Sequence, residues 1–215
     1  MKARLSGLYA VTPDLTDTPR LLELVEAALQ GGASLLQYRN KLASSALRHE
    51  QAGALLTLCR QYSVALIIND HLELCRALDA DGVHLGGDDG DIAAARALLG
   101  PAKIIGASCY NRLDLAAEAK SGGADYVAFG SCFGSSTKPA ALRAPLELFR
   151  QARRQIDLPM VAIGGITAEN AGLAIEAGAD ALEVINAVFA VPDVRQAVQT
   201  FSNLFIQDPH EPNPS

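Results

Sequence analysis

The stretch Gly122-Gly123-Ala124-Asp125-Tyr126-Val127-Ala128-Phe129-Gly130-Ser131-Cys132-Phe133-Gly134-Ser135-Ser136-Thr137-Lys138 carries the two signals that decide the fold. Its glycine pair supplies the left-handed residue on which a helix ends. The small Ala124-Asp125 step then lets the chain turn tightly into Tyr126-Val127-Ala128-Phe129, a short apolar run that reads as a buried strand. Beyond Gly130 the chemistry changes, and small and hydroxyl residues lead to Lys138 and Pro139. Such a loop offers backbone N–H groups, hydroxyls and one cation to phosphate oxygens. It is not a P-loop, whose lysine must sit within G-x-x-x-x-G-K-[ST].

The junction recurs along the chain. Gly31-Gly32-Ala33-Ser34 and Ala177-Gly178-Ala179-Asp180 repeat it, and Ala80-Asp81-Gly82-Val83 is a looser copy. Strands are predicted over 8–12, 33–39, 65–68, 81–86, 104–108, 126–129, 160–164 and 181–185. Helices fill the gaps. Pro19 sits in the first turn of the first, with Leu22, Val25, Ala28 and Leu29 on one face. The second spans about 44–62, the third 71–78 and the fifth about 111–121. Asp91 caps the fourth, Pro145 opens the sixth and Thr167 caps the seventh. Val194, Ala197, Val198, Phe201 and Phe205 form the apolar stripe of the last. Strict alternation with short loops predicts an α/β fold, a single-domain (β/α)8 TIM barrel over residues 1–206. An open doubly wound sheet is the rival, but no G-x-G-x-x-G follows the first strand. From residue 207 the chain holds Pro209, Pro212 and Pro214 among polar residues, so a disordered tail is expected.

A chain of 215 residues, 49 % apolar and 20 % charged, suits one well-packed barrel. The net charge of −6 argues against a broad nucleic-acid surface. The first seven residues lack the apolar core of a signal peptide, and no run approaches membrane-spanning length. A cytoplasmic protein is expected. Cys59, Cys75, Cys109 and Cys132 show no C-x-x-C pairing and read as small buried hydrophobes rather than zinc ligands or disulfides. The sequence leaves a homo-oligomer open.

In a (β/α)8 barrel the C-terminal strand ends carry the chemistry. Those ends hold Gln37, Arg39 and Lys41; Asn69 and Asp70; Asp88 and Asp89; Ser108; Ser135 to Lys138; Gly164-Gly165; and Asn186. Strand interiors are almost wholly apolar, so the polarity is gathered at one end. Gln37, Arg39 and Lys41 alternate on an extended segment and leave one side of it. Arginine brings a planar fork to phosphate oxygens, and lysine a compact cation. Asp70 and Asp89 follow neighbouring strands, and hard oxygens without His or Cys partners suit Mg²⁺. Asp70 could instead cap a helix, and either Asp88 or Asp89 caps the next one. Gly164-Gly165 and Ile185-Asn186 match the usual barrel phosphate site built from backbone N–H groups. His84 reads as a histidine satisfying a local hydrogen bond, and Tyr38 and Phe133 as packing or stacking aromatics.

Gln37-Tyr38-Arg39-Asn40-Lys41, Asn69-Asp70, Asp81 to Gly86, Gly130 to Lys138 and Ile163-Gly164-Gly165-Ile166 together resemble the thiamine phosphate synthase family over about residues 7 to 205. The resemblance implies a transferase that joins a hydroxymethylpyrimidine diphosphate to a (carboxy)thiazole phosphate, releasing pyrophosphate with Mg²⁺. Carried over, Gln37, Tyr38, Arg39, Asn40, Lys41, Asn69, Ser108 and Lys138 would hold the pyrimidine diphosphate, with Arg39, Lys41, Ser108 and Lys138 catalytic. Asp70 and Asp89 would hold the metal. Ser135, Ser136, Thr137, Gly165, Ile185 and Asn186 would hold the thiazole phosphate. The chain departs from the family pattern at Gly87, Ser131, Gly134, Ser135 and Asn186. No Ser-His-Asp or Cys-His arrangement is legible, so no protein nucleophile is expected. A thiazole tautomerase-like paralogue and a catalytically silent phosphometabolite-binding barrel are the alternatives.

Overall fold

A computed structural model describes residues 5–87, 90–134 and 143–206. Among them, eight parallel strands close into a barrel in sequence order. They are β1 (Gly7–Val11), β2 (Leu35–Tyr38), β3 (Ala65–Asn69), β4 (Gly82–Leu85), β5 (Ile104–Tyr110), β6 (Tyr126–Phe129), β7 (Met160–Ile163) and β8 (Ala181–Val184). β8 pairs back onto β1 through Gly7 opposite Ala181. Around them lie α1 (Thr18–Gln30), α2 (Ser45–Gln61), α3 (Leu72–Leu78), α4 (Ile92–Leu99), α5 (Leu113–Ser121), α6 (Glu147–Arg153), α7 (Ala171–Glu176), α8 (Asn186–Phe189) and α9 (Val194–Asn203). The predicted (β/α)8 architecture is therefore the observed one.

Helix starts follow the capping residues where a side chain reaches the first turn. Asp17, Ser44, Asp91 and Asp193 each accept a backbone N–H from the residue three positions on. Three sequence expectations shift. α1 buries Leu21 rather than Leu22 beside Val25, Ala28 and Leu29. Regular α6 begins at Glu147, after a turn in which the Leu148 N–H donates to the Pro145 carbonyl. Regular α7 begins at Ala171, because Asn170 accepts from the Thr167 N–H and the chain turns once before the helix. The four cysteines are buried and unpaired as read. Burial pushes the thiols of Cys59 and Cys109 up to about 12, and those of Cys75 and Cys132 to about 11.

The repeated junction has a mechanical explanation at the barrel floor. The Asp125 carboxylate accepts from the Ile105 N–H at 2.8 Å, while the Asp125 N–H donates to the Ile105 carbonyl. Asp180 brackets Met160 in the same way. Asp81 accepts from the Leu66 N–H. Each aspartate thus closes the open end of the neighbouring strand, where the ladder supplies no partner. Ser34 is the weaker version, donating from both N–H and hydroxyl to the Leu8 carbonyl.

Two apolar layers separate at the sheet. Leu8, Ala10, Leu36, Ile68 and Val127 face the helices, whereas Tyr9, Leu35, Ile67, Tyr126, Ala128, Val161 and Ala181 fill the barrel interior. The interior is tight around Tyr126: a Cβ on Gly106 would lie 2.0 Å from that ring's Cζ. Gly106→Ala is therefore overpacked against a side chain with nowhere to go. It should cost about 3 kcal/mol and lower Tm by about 6–12 °C in a thermal melt.

Candidate active site

The β1–α1 loop and α2 between them shape the segment after β2. Thr12, fully buried, accepts from the Arg39 N–H and donates to the Arg39 carbonyl. Asp14 accepts from the Lys41 N–H at 2.7 Å and from the Arg39 guanidinium at 3.3 Å. On the helix side, Gln51 is fully buried and its Oε1 accepts from Tyr38 Oη and Asn40 Nδ2. Asn40 and Gln51 also both donate to the Leu15 carbonyl. Tyr38 and Asn40 therefore fix the wall, and Arg39 and Lys41 are left at the rim. Thr12, Asp14 and Gln51 escaped the sequence reading. The signal for Asp14 was its place just past the first strand end.

Asp70 follows β3 directly with φ +61, the left-handed region, while its N–H donates to the His84 carbonyl on β4. Asn69 Nδ2 donates to its carboxylate at 2.6 Å. A non-glycine residue held this way at a barrel rim marks a built position. The helix-cap reading does not hold: His71 occupies the α3 N-cap position, with no side-chain cap bond. Tyr38, Arg39, Asn40, Lys41, Arg48, Asn69, Asp70 and His71 line one cleft of about 240 Å³. A second of about 390 Å³ shares Arg48, Asp70 and His71 and continues along α2 and α3. Arg48, not foreseen, donates to the Ala43 carbonyl, and its buried Nε has no hydrogen-bond partner among the described residues.

Gln37 is not at the rim with Arg39. It is buried inside the barrel, where its Nε2 donates to Tyr9 Oη at 2.9 Å. Tyr9 Oη lies 2.9 Å from Tyr126 Oη, which lies 2.9 Å from His84 Nδ1. His84 Nε2 is 2.8 Å from Ser108 Oγ. Neighbouring strands β4 and β5 thus bring a serine and a histidine together, a pair the sequence reading did not foresee. The third position, however, is a phenol rather than a carboxylate.

Farther round the rim, the β6 loop lies on the glycines that follow β7. Gly164 and Gly165 have φ +88 and +67, and a Cβ on Gly165 would come within 2.4 Å of the Gly134 carbonyl. The Cys132 and Phe133 N–H groups donate to the Ile163 and Gly164 carbonyls, and the Gly130–Ser131 peptide is cis. Ile185 precedes α8, a short helix the sequence reading missed, which begins at Asn186. Ser135, Ser136, Thr137, Lys138 and Asp89 lie outside the described residues.

Comparison with known proteins finds relatives over most of the chain. The family model described as thiamine monophosphate synthase matches residues 8–188. A thiamine-phosphate synthase of Methylobacillus flagellatus is 61 % identical over 94 % of this chain and 96 % of its own. That of Thiobacillus denitrificans is 56 % identical over 95 % and 97 %. The solved thiamine phosphate pyrophosphorylase of Pyrococcus furiosus superposes with a TM-score of 0.83 at 36 % identity, covering 94 % of this chain and 96 % of that one. The family model and these full-length relatives agree, and the chain belongs to the thiamine monophosphate synthase family.

Proposed function

We propose that the cleft between β2 and β3 holds the diphosphate of a hydroxymethylpyrimidine substrate and that the β7–β8 rim holds the phosphate of a thiazole partner. Joining the two gives thiamine monophosphate and pyrophosphate. The observation that carries this reading is the convergence of Arg39, Lys41, Asn69 and Asp70 on one cleft. Arg39 is pre-aimed by Asp14 before any ligand arrives. Such orientation lowers the ordering cost of binding and of the transition state.

The donor set fits Mg²⁺, which takes one or two carboxylates and completes its shell with water and substrate phosphate. Asp70 would hold it, with Asp89 as the second ligand. Bound there, it supplies positive charge against the leaving pyrophosphate. Arg39, Lys41 and Lys138 stabilise the same developing charge, and Ser108, Tyr38, Asn40 and Asn69 position the pyrimidine diphosphate, whereas Gln37, buried in the barrel, acts through Tyr9. Ser135, Ser136, Thr137, Gly165, Ile185 and Asn186 receive the thiazole phosphate. The electron-rich aminopyrimidine tolerates cationic character at its methylene, so bond breaking runs ahead of attack by the thiazole nitrogen. Loss of CO₂ completes the reaction where the thiazole is carboxylated. Buried thiols suit a reducing cytoplasm. Among the described residues no helix is long and apolar enough to cross a membrane.

The test is incubation with both substrates, with and without Mg²⁺, followed by pyrophosphate release and product mass. Thiamine monophosphate formed in step with pyrophosphate, and only with the metal, is the expected result. Isomerised thiazole without pyrophosphate would reject it in favour of tautomerase chemistry.

A further inference from the structure

The buried polar chain inside the barrel does more than pack. Five side chains from five strands, Gln37 (β2), Tyr9 (β1), Tyr126 (β6), His84 (β4) and Ser108 (β5), form one continuous run of hydrogen bonds. Tyr9 and Tyr126 are fully buried, and His84 is 4 % exposed. Only Ser108, at the C-terminal end of β5, is partly open, and a bulge follows it directly. The run therefore ends at the catalytic rim.

Its polarity decides what Ser108 offers to a ligand. In one of the two arrangements these bonds allow, Gln37 donates to Tyr9 and Tyr9 donates to Tyr126 Oη. Tyr126 then donates onward to His84 Nδ1. A neutral imidazole that accepts at Nδ1 carries its proton on Nε2, which donates to Ser108 Oγ. The Ser108 proton is consequently left for a ligand. With the opposite tautomer, Ser108 would spend that proton on Nε2 and present lone pairs to an anionic substrate. Burial, together with the charge of Glu183, raises both phenols well above their ordinary value and keeps them protonated. Gly106 leaves the space in which the Tyr126 ring stands, and His84 stacks on that ring at 5.6 Å.

We infer that Tyr9, Tyr126 and His84 are positioning residues that fix Ser108 as a hydrogen-bond donor to the diphosphate substrate. The inference rests on the proposed function, and it also separates this serine–histidine pair from nucleophilic catalysis. His84 donates to Ser108 and does not act as its base.

Two measurements test it. In the first, Ser108→Ala should lower kcat/KM for the pyrimidine diphosphate by about 10–100-fold, the range of a hydrogen bond to a charged group. Tyr126→Phe should lower it by about tenfold in the parent but by less than about twofold when Ser108 is already alanine. An equal loss in both backgrounds, or no loss in Ser108→Ala, overturns the inference while leaving synthase activity in the parent intact. The second needs no folded variant at Tyr126. In ¹⁵N-labelled parent protein, the His84 signal, identified by its disappearance in His84→Gln, should report an unprotonated Nδ1 and a protonated Nε2. A proton on Nδ1 overturns the inference. Absence of pyrophosphate release in the parent would instead reject the reaction itself.

Discussion

Asp70→Asn lowers kcat by about a hundredfold or more and leaves Tm within about 2 °C of the parent. Asparagine has the same shape, tolerates the left-handed backbone as aspartate does, and keeps an oxygen where Asn69 Nδ2 donates. What it removes is the charge. A diphosphate leaving group needs compensating cations, and the carboxylate is the group that would recruit one among Arg39 and Lys41. Asp70→Gly sharpens the contrast. With φ +61, glycine removes the backbone cost of an L-residue there, offset by the greater freedom of the unfolded chain. Tm should not fall with it, yet kcat should fall as in the asparagine variant. Both are checked by pyrophosphate release at saturating substrates across a Mg²⁺ titration, beside a thermal melt. Turnover near that of the parent in Asp70→Asn would remove this residue from the reaction. A loss of kcat matched by a collapse of Tm would make it structural.

The barrel itself was legible because its strands are apolar on both faces and its junctions repeat a helix-ending glycine. The rim residues after β2 and β3 were legible because polarity stops being scattered there. Other features left no local trace. Tyr9 and Tyr126 sit in apolar runs and read as packing, and their hydroxyls meet across 117 residues of sequence. Gln37 shares a strand face with Arg39, but the barrel curves, so one side chain enters the interior while the other reaches the rim. Gln51 looks like a solvated helix residue until Tyr38 and Asn40 are brought against it. Helix α8 was missed because Ile185 follows the strand directly and four residues are too few to show a period. Leu21 and Leu22 are adjacent, and periodicity alone did not choose between them.

At the opposite end of the barrel the dissociation of stability from activity should invert. Asp125→Ala is expected to lower Tm by about 5–15 °C, from a loss of about 2–4 kcal/mol, with kcat unchanged well below the transition. The Asp125 carboxylate accepts from the Ile105 N–H and from Arg96 Nη2 at 2.5 Å, with both charged side chains four-fifths or so buried. Removing it leaves a strand-end N–H without its acceptor and a guanidinium whose remaining bonds, to the Gly100, Lys103 and Gly123 carbonyls, no longer offset its charge. Asp125→Asn keeps an oxygen for Ile105 and should recover roughly half the loss, because the amide answers the N–H but not the cation. Asp180→Ala should cost less than Asp125→Ala. It makes the matching bond to Met160, but its partner Arg153 is 40 % exposed and screened by water. The order Asp125→Ala, then Asp180→Ala, then Asp125→Asn in chemical or thermal denaturation follows from burial and charge at one repeated position. Equal losses at Asp125 and Asp180 would mean that the backbone clamp alone carries the stability and the arginines contribute nothing.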